Sequence, residues 1–161
     1  MRNLDTETTG LHGAEMCEIA IIDLEGETLL DTLVKPTIEI PKDAINIHGI
    51  TNEEVENAPS FADIYDALRL IFEERKVLIY NAAFDTEIIK NSCESHDLNP
   101  LPLNAECLME QYAVWNGDWS EYHGNYKWVK LRGGNHRAGG DCKAALNYLK
   151  EMARPEQDFD Y

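Results

Sequence analysis

Apolar residues fall in short, dense runs over the first third of the chain. Glu18-Ile19-Ala20-Ile21-Ile22-Asp23-Leu24 and Thr28-Leu29-Leu30-Asp31-Thr32-Leu33-Val34 flank Glu25-Gly26-Glu27. β-Branched enrichment around a glycine-bearing turn predicts a β-hairpin, with Arg2 to Thr6 as an opening strand. The period then changes. Phe61, Ile64, Tyr65, Leu68, Ile71 and Phe72 recur at helical spacing behind Ser60, whose hydroxyl can cap an amphipathic helix. Val77 to Tyr80 reads as a buried strand running into Asn81-Ala82-Ala83-Phe84-Asp85, where a helix carrying Ile88 and Ile89 can begin. Residues 105 to 114 are expected to be helical and Trp115 to Trp128 irregular. A last helix is expected over Asn135 to Met152, with Ala145, Tyr148, Leu149 and Met152 on one face. This order implies one α/β or α+β layered domain over residues 1–153. Arg154 to Tyr161 is expected to be a mobile acidic tail.

Charge narrows the choice of function. With 14 Lys and Arg against 30 Asp and Glu, the 161-residue chain carries a formal net charge of −16. That excludes a broad basic groove for nucleic acid. A small site whose field is cancelled by bound cations remains open, because exposed charges beyond a Debye length of about 8 Å are largely screened. Residues 127 to 143 are the locally positive window, holding Lys127, Lys130, Arg132, Arg137 and Lys143 against Asp141 alone. Cys17, Cys93, Cys107 and Cys142 are scattered without zinc spacing, which suits a reducing compartment. No apolar signal core and no run of 18 apolar residues occurs, so a cytoplasmic protein without a membrane partner is expected.

Asp5-Thr6-Glu7 is a D-x-E pair, and the two-residue period of a strand puts both carboxylates on one face. Alone, it also suits a solvated strand end. Two such anions repel unless a cation lies between them, and hard divalent ions favour carboxylate oxygen. Thr8-Thr9-Gly10-Leu11 follows, with a glycine that permits a tight turn near a ligand. Alone, Asp85 and Asp141 also suit acids in the first turn of a helix, and Phe84 and Leu11 suit core positions. His48 equally suits a hydrogen-bonded loop histidine.

Three segments in order, D-x-E-T-T-G from Asp5, N-A-A-F-D ending at Asp85 and H-x-x-x-x-D from His136 to Asp141, change that balance. With Ile47-His48-Gly49-Ile50-Thr51 they make the chain resemble the DEDDh (DnaQ-like) 3′→5′ exonucleases, which include proofreading subunits of bacterial DNA polymerases. The resemblance covers residues 4 to 150 or so. It implies a ribonuclease H-like fold, a mixed central sheet flanked by helices, and two Mg²⁺ or Mn²⁺ ions. It also implies Asp5, Glu7, Asp85 and Asp141 as metal-binding carboxylates and His136 as general base. Leu11, His48, Asn81 and Phe84 match positions at the terminal-nucleotide pocket, beside the Thr8-Thr9 turn.

The implied reaction is hydrolysis at single-stranded or frayed 3′ ends, releasing nucleoside 5′-monophosphates, with DNA favoured over RNA. An RNA-trimming exonuclease, or a non-catalytic module bound to a polymerase or another nucleic-acid-processing protein, are the alternatives.

Geometry adds detail. On a regular helix the five-residue offset between His136 and Asp141 separates their side chains by about 140°, so His136 is expected on the approach to the helix, with Asn135 or a neighbour capping. Gly139 and Gly140 each cost about 1 kcal/mol relative to alanine inside a helix, which suggests that the active-site turn or substrate backbone passes close by. Lys130 and Arg132 are expected to track phosphates upstream of the scissile bond. The aromatics of 115 to 128 could stack on bases or cap the core. Few residues precede Asp5, which is expected to leave the opening strand short of ladder partners.

Overall fold

The computed structural model describes residues 1–154, so all but the first residue of the expected tail lies outside the described residues. Five strands form one sheet in the order β3-β2-β1-β4-β5. They are β1 (Arg2–Thr8), β2 (Met16–Ile22), β3 (Thr28–Leu33), β4 (Lys76–Ile79) and β5 (Asn104–Cys107). The first three pair antiparallel, whereas β4 joins β1, and β5 joins β4, in parallel. The fold is thus mixed α/β, as the sequence implies. β1 sits centrally, paired with β2 from Asn3 to Thr8 and with β4 from Arg2 to Leu4.

Strand alternation sorts the two faces. Leu4, Ile19 and Ile21 face a core closed by α3 (Phe61–Phe72) and α4 (Ala82–Ser95), through Phe61, Leu68, Phe72, Ile88 and Ile89. Ala20 and Ile22 point the other way, onto Ala138, Cys142 and Leu146 of α6 (Ala138–Met152). Asn3 shares that second face, and its side-chain amide donates to the Cys142 carbonyl at 2.6 Å. Asp5 and Glu7 continue the same alternation and so meet the start of α6.

Ser60 caps α3 in a capping box: its hydroxyl oxygen accepts the Asp63 backbone N–H, and the Asp63 carboxylate accepts the Ser60 backbone N–H in return. Two short helices, α1 (Lys42–His48) and α2 (Asn52–Val55), occupy a stretch that periodicity did not mark. His48 therefore ends a helix, before Gly49 in the left-handed conformation, instead of lying in a loop. The expected helix over 105–114 is corrected: residues 104–107 form β5, and α5 (Leu108–Asn116) follows. Four residues alternating Asn, Ala, Glu and Cys carry too little period to separate strand from helix. The parallel edge of β4 settles the choice through the Val77–Ala105 and Ile79–Cys107 pairs.

Residues 115–128 are not wholly irregular, since β6 (Trp119–Ser120) and β7 (Asn125–Tyr126) form a small hairpin with Trp119 edge-on to Tyr126. α6 begins three residues later than expected, and Arg137, not Asn135, is its N-cap residue. No helix among the described residues is long and apolar enough to cross a membrane.

Candidate active site

Asp5, Glu7 and Asp141 converge. One carboxylate oxygen from each lies within 4.8 Å of the others, although Asp141 is 134 residues or more away in sequence. Two come from alternate positions of β1 and the third from the first turn of α6. Asp141 Oδ1 accepts the Asn135 backbone N–H at 2.8 Å, which ties the approach to α6 back onto the helix.

Asp85, in the first turn of α4, stands apart from this triple. Its Oδ1 accepts both the backbone N–H of Thr6, at 3.1 Å, and the Thr6 hydroxyl, at 2.8 Å. The residue between the two acids of D-x-E thus holds the acid of the second motif. It remains electrostatically coupled to Asp5, whose carboxyl is raised well above its ordinary range by burial and then by Asp85, Asp141, Glu7 and Glu18. Burial and the charges of Asp141, Glu18 and Asp85 push Glu7 up to about 8. Burial takes Asp85 to about 7, against the opposing hydrogen bonds from Thr6.

Clustered carboxylates with raised pKa values repel one another, and a divalent cation relieves that repulsion. Oxygen-only donors at this separation fit a hard divalent cation.

A cavity of about 570 Å³ opens beside Glu7, lined by Thr6, Thr8, Thr9, Leu11, His48 and Phe84 among others. Ile47 also lines it, together with His12 and Asp43, which the sequence did not single out; Asp43 and Ile47 arrive on α1. Leu11 and Ile47 are exposed apolar side chains at this cavity, at 74% and 60%. The Thr8 hydroxyl donates to the Gly10 carbonyl at 2.7 Å, and Thr9 Oγ1 accepts the Glu15 N–H at 3.0 Å, so both threonines shape the turn. His48 is buried. Its Nδ1 accepts the Ile50 N–H at 3.0 Å and its Nε2 lies 3.1 Å from the Thr8 carbonyl, to which it donates. Burial lowers its pKa, so a neutral ring joins α1 to the turn. Asn81 is the exposed N-cap residue of α4 and makes no side-chain cap bond.

His136 is exposed and left-handed, with φ of +55°, directly before α6. It lies off the helix, as its offset from Asp141 requires. Its neighbour Arg137 turns inward to Glu18 of β2, a buried acid that sequence reading did not single out. The available signal was a charge at the same strand parity as Ala20 and Ile22, on a face that must be covered.

The basic window is therefore not a continuous track. Lys127 pairs with Asp118 at 2.9 Å. Arg132 donates to Tyr148 Oη at 3.0 Å and to Tyr112 Oη at 3.1 Å. Lys130 and Lys143 are exposed. Gly140 faces the Asn135 side chain, into which a Cβ would run, so its neighbour is the approach to α6 and not the expected active-site turn. Gly139 instead packs on Asp31 of β3, whose Oδ2 would lie 2.7 Å from a Cβ.

Comparison with known proteins places these residues in context. The RNase T family model, described as exonuclease, matches residues 3–149. The "uncharacterized exonuclease CP81" of Escherichia phage 186 is 39% identical over 169 aligned residues, 94% of this chain and 87% of that protein. The DNA polymerase III epsilon subunit of Rickettsia felis is 34% identical over 95 residues, 55% of this chain and 42% of the subunit. This chain thus spans less than half the length of that relative. Among solved structures, exonuclease X in complex with 5′ overhanging duplex DNA superposes with a TM-score of 0.66 at 28% identity, covering 94% of this chain and 89% of that one. The nuclease domain of 3′hExo, a DEDDh family member bound to rAMP, shares the fold at a TM-score of 0.69 and 16% identity, covering 94% and 90%.

Proposed function

We propose that this chain, which belongs to the RNase T exonuclease family, hydrolyses the terminal phosphodiester of a single-stranded or frayed 3′ end and releases a nucleoside 5′-monophosphate. It is an exonuclease by family; the bond, the polarity and the product are the proposal. The meeting of Asp5, Glu7 and Asp141 within 4.8 Å carries it. These three, with Asp85 through the oxygen that Thr6 leaves free of hydrogen bonds, would hold two Mg²⁺ or Mn²⁺ ions. Bound there, such ions activate water, stabilise charge on the phosphorane-like transition state and neutralise the leaving 3′-oxygen.

The chain's own residues supply the rest. His136, exposed and next to Asn135, whose backbone N–H donates to Asp141, accepts the proton of the attacking water on a ring nitrogen. The cavity beside Glu7 receives the terminal nucleotide. Leu11 and Phe84 offer apolar surface to its base, and the Thr8-Thr9 turn brings backbone close to its sugar. His48 keeps that turn in place. Asn81 borders the same strand-to-helix junction, and Lys130, with the exposed part of Arg132, meets phosphates further upstream.

DNA is the favoured substrate, supported by relatives named as DNA polymerase subunits and by the DNA-bound exonuclease X. The same relatives support a polymerase as partner.

Product analysis on matched DNA and RNA strands, labelled at either end, tests the reading with Mg²⁺ and with Mn²⁺. Stepwise loss of 5′-monophosphates from the 3′ end, faster on DNA and absent in Asp5→Ala, is expected. Internal cleavage, loss from the 5′ end, or turnover surviving Asp5→Ala contradicts it.

A further inference from the structure

Glu18 is an unusual occupant of its strand. β2 is buried throughout, and the other residues of its α6-facing side are Ala20 and Ile22, which pack apolar surface onto Ala138, Cys142 and Leu146. Glu18 also stands directly across the antiparallel ladder from Glu7. Like charges at facing positions destabilise a strand pair, and a buried carboxylate is costly unless paired. Fold stability alone would favour an apolar residue here.

Its oxygens are fully engaged by the two residues that follow His136. Arg137 Nε donates to Oε1 at 3.0 Å and Oε2 at 3.1 Å, and Nη2 donates to Oε1 as well. The Ala138 backbone N–H, first of α6, donates to Oε2 at 2.8 Å. A carboxylate so occupied is no spare metal ligand. It supplies the cap that α6 lacks from its own N-cap side chain, from a strand 120 residues away. On the other side of His136, Asn135 is fixed by its N–H to Asp141. Both neighbours of a histidine in the left-handed region, where a non-glycine side chain is strained, are thus anchored.

We propose that Glu18 is a positioning residue, which acts through Arg137 and the Ala138 amide to fix the segment that carries His136 next to Asp141. This rests on the assignment of His136 as general base. Glu18 has no direct part in the proton transfer: it sets where the imidazole stands when the proton leaves water. A base displaced by about 1 Å can cost about 100-fold in rate while ground-state binding is kept.

A double-mutant cycle tests this, with kcat, KM and melting temperature measured for Glu18→Gln, Arg137→Gln and His136→Ala, and for each of the first two combined with the third. His136→Ala is expected to lower kcat by about 100-fold or more. Glu18→Gln and Arg137→Gln should each lower it by about 10- to 100-fold with KM little changed. In the His136→Ala background neither should cost more than about twofold. Exchange of the Ala138 amide in metal-free protein should quicken in Glu18→Gln.

Equal losses in both backgrounds would overturn the positioning role while leaving the histidine assignment intact; a His136→Ala enzyme of normal kcat would overturn the histidine assignment itself. A rise in KM without a fall in kcat would make Arg137 a phosphate contact and also overturn the proposal. Should Glu18→Gln fail to fold, Arg137→Gln, altering a half-exposed side chain, carries the same comparison.

Discussion

Thr6 donates twice to one oxygen of Asp85, through its backbone N–H and its hydroxyl, and so couples the first acidic segment to the second across 79 residues. Both bonds favour the ionised form of a buried carboxyl. Thr6→Val keeps the side-chain volume and the backbone bond but removes the hydroxyl. A hydrogen bond to a charged group contributes about 1.5–3 kcal/mol. Denaturant unfolding of metal-free protein should show a loss of that order at pH 8, where Asp85 is ionised, and a smaller one at pH 5. An equal loss at both values would mean that the hydroxyl serves packing alone.

The raised carboxyls make metal-free stability depend on pH, with a definite sign. Glu7, at about 8 folded against 4.5 ordinarily, and Asp85, at about 7 against 3.8, bind protons more tightly when folded. Their contribution is complete below about pH 4 and is lost as pH rises through 7 to 8. The melting temperature in chelator should therefore fall from pH 5.5 to 8.5. Mg²⁺ or Mn²⁺ competes with those protons, so the increase it brings should be larger at pH 8.5 than at pH 5.5. Glu7→Gln should flatten both trends. A metal effect independent of pH would separate the ions from these groups.

Gly140→Ala sets two local effects against each other. Alanine favours the helix by about 1 kcal/mol, while its methyl group displaces the exposed Asn135 side chain from the approach that carries His136. Melting temperature is expected to hold or rise slightly and kcat to fall several-fold. If both stay unchanged, the contact at Gly140 has no bearing on catalysis.

Leu11 is exposed at the cavity and Lys130 lies on the surface, so neither contributes much to stability. Leu11→Ala should raise KM for short single strands without shifting the melting temperature. Lys130→Glu should raise KM and reduce its salt dependence by about one phosphate's worth of slope. Steady-state kinetics at several salt concentrations distinguish the two.

Much of this was legible in the sequence because it depends on local period. The hairpin of β2 and β3, α3 with its Ser60 cap, and the shared face of Asp5 and Glu7 all follow from spacings of two or about 3.6 residues. Asp141 entered through its motif, and its five-residue offset already placed His136 off the helix. What was not legible depends on distant partners. β5 is a strand because β4 offers a parallel edge. Glu18 matters because α6 arrives over it, and Arg132 is drawn to Tyr112 and Tyr148 by the packing of α5 on α6. A local pattern shows which face a residue takes and leaves open what will cover it.

Calorimetric titration of Mn²⁺ into the metal-free protein at pH 8, in wild type, Asp5→Asn and Asp141→Asn, reaches the heart of the matter. Two ions should bind the wild-type chain, and each substitution should abolish or severely weaken at least one while the protein stays folded. Wild-type binding that both variants retain unaltered would mean that the three carboxylates meet for some purpose other than holding metal.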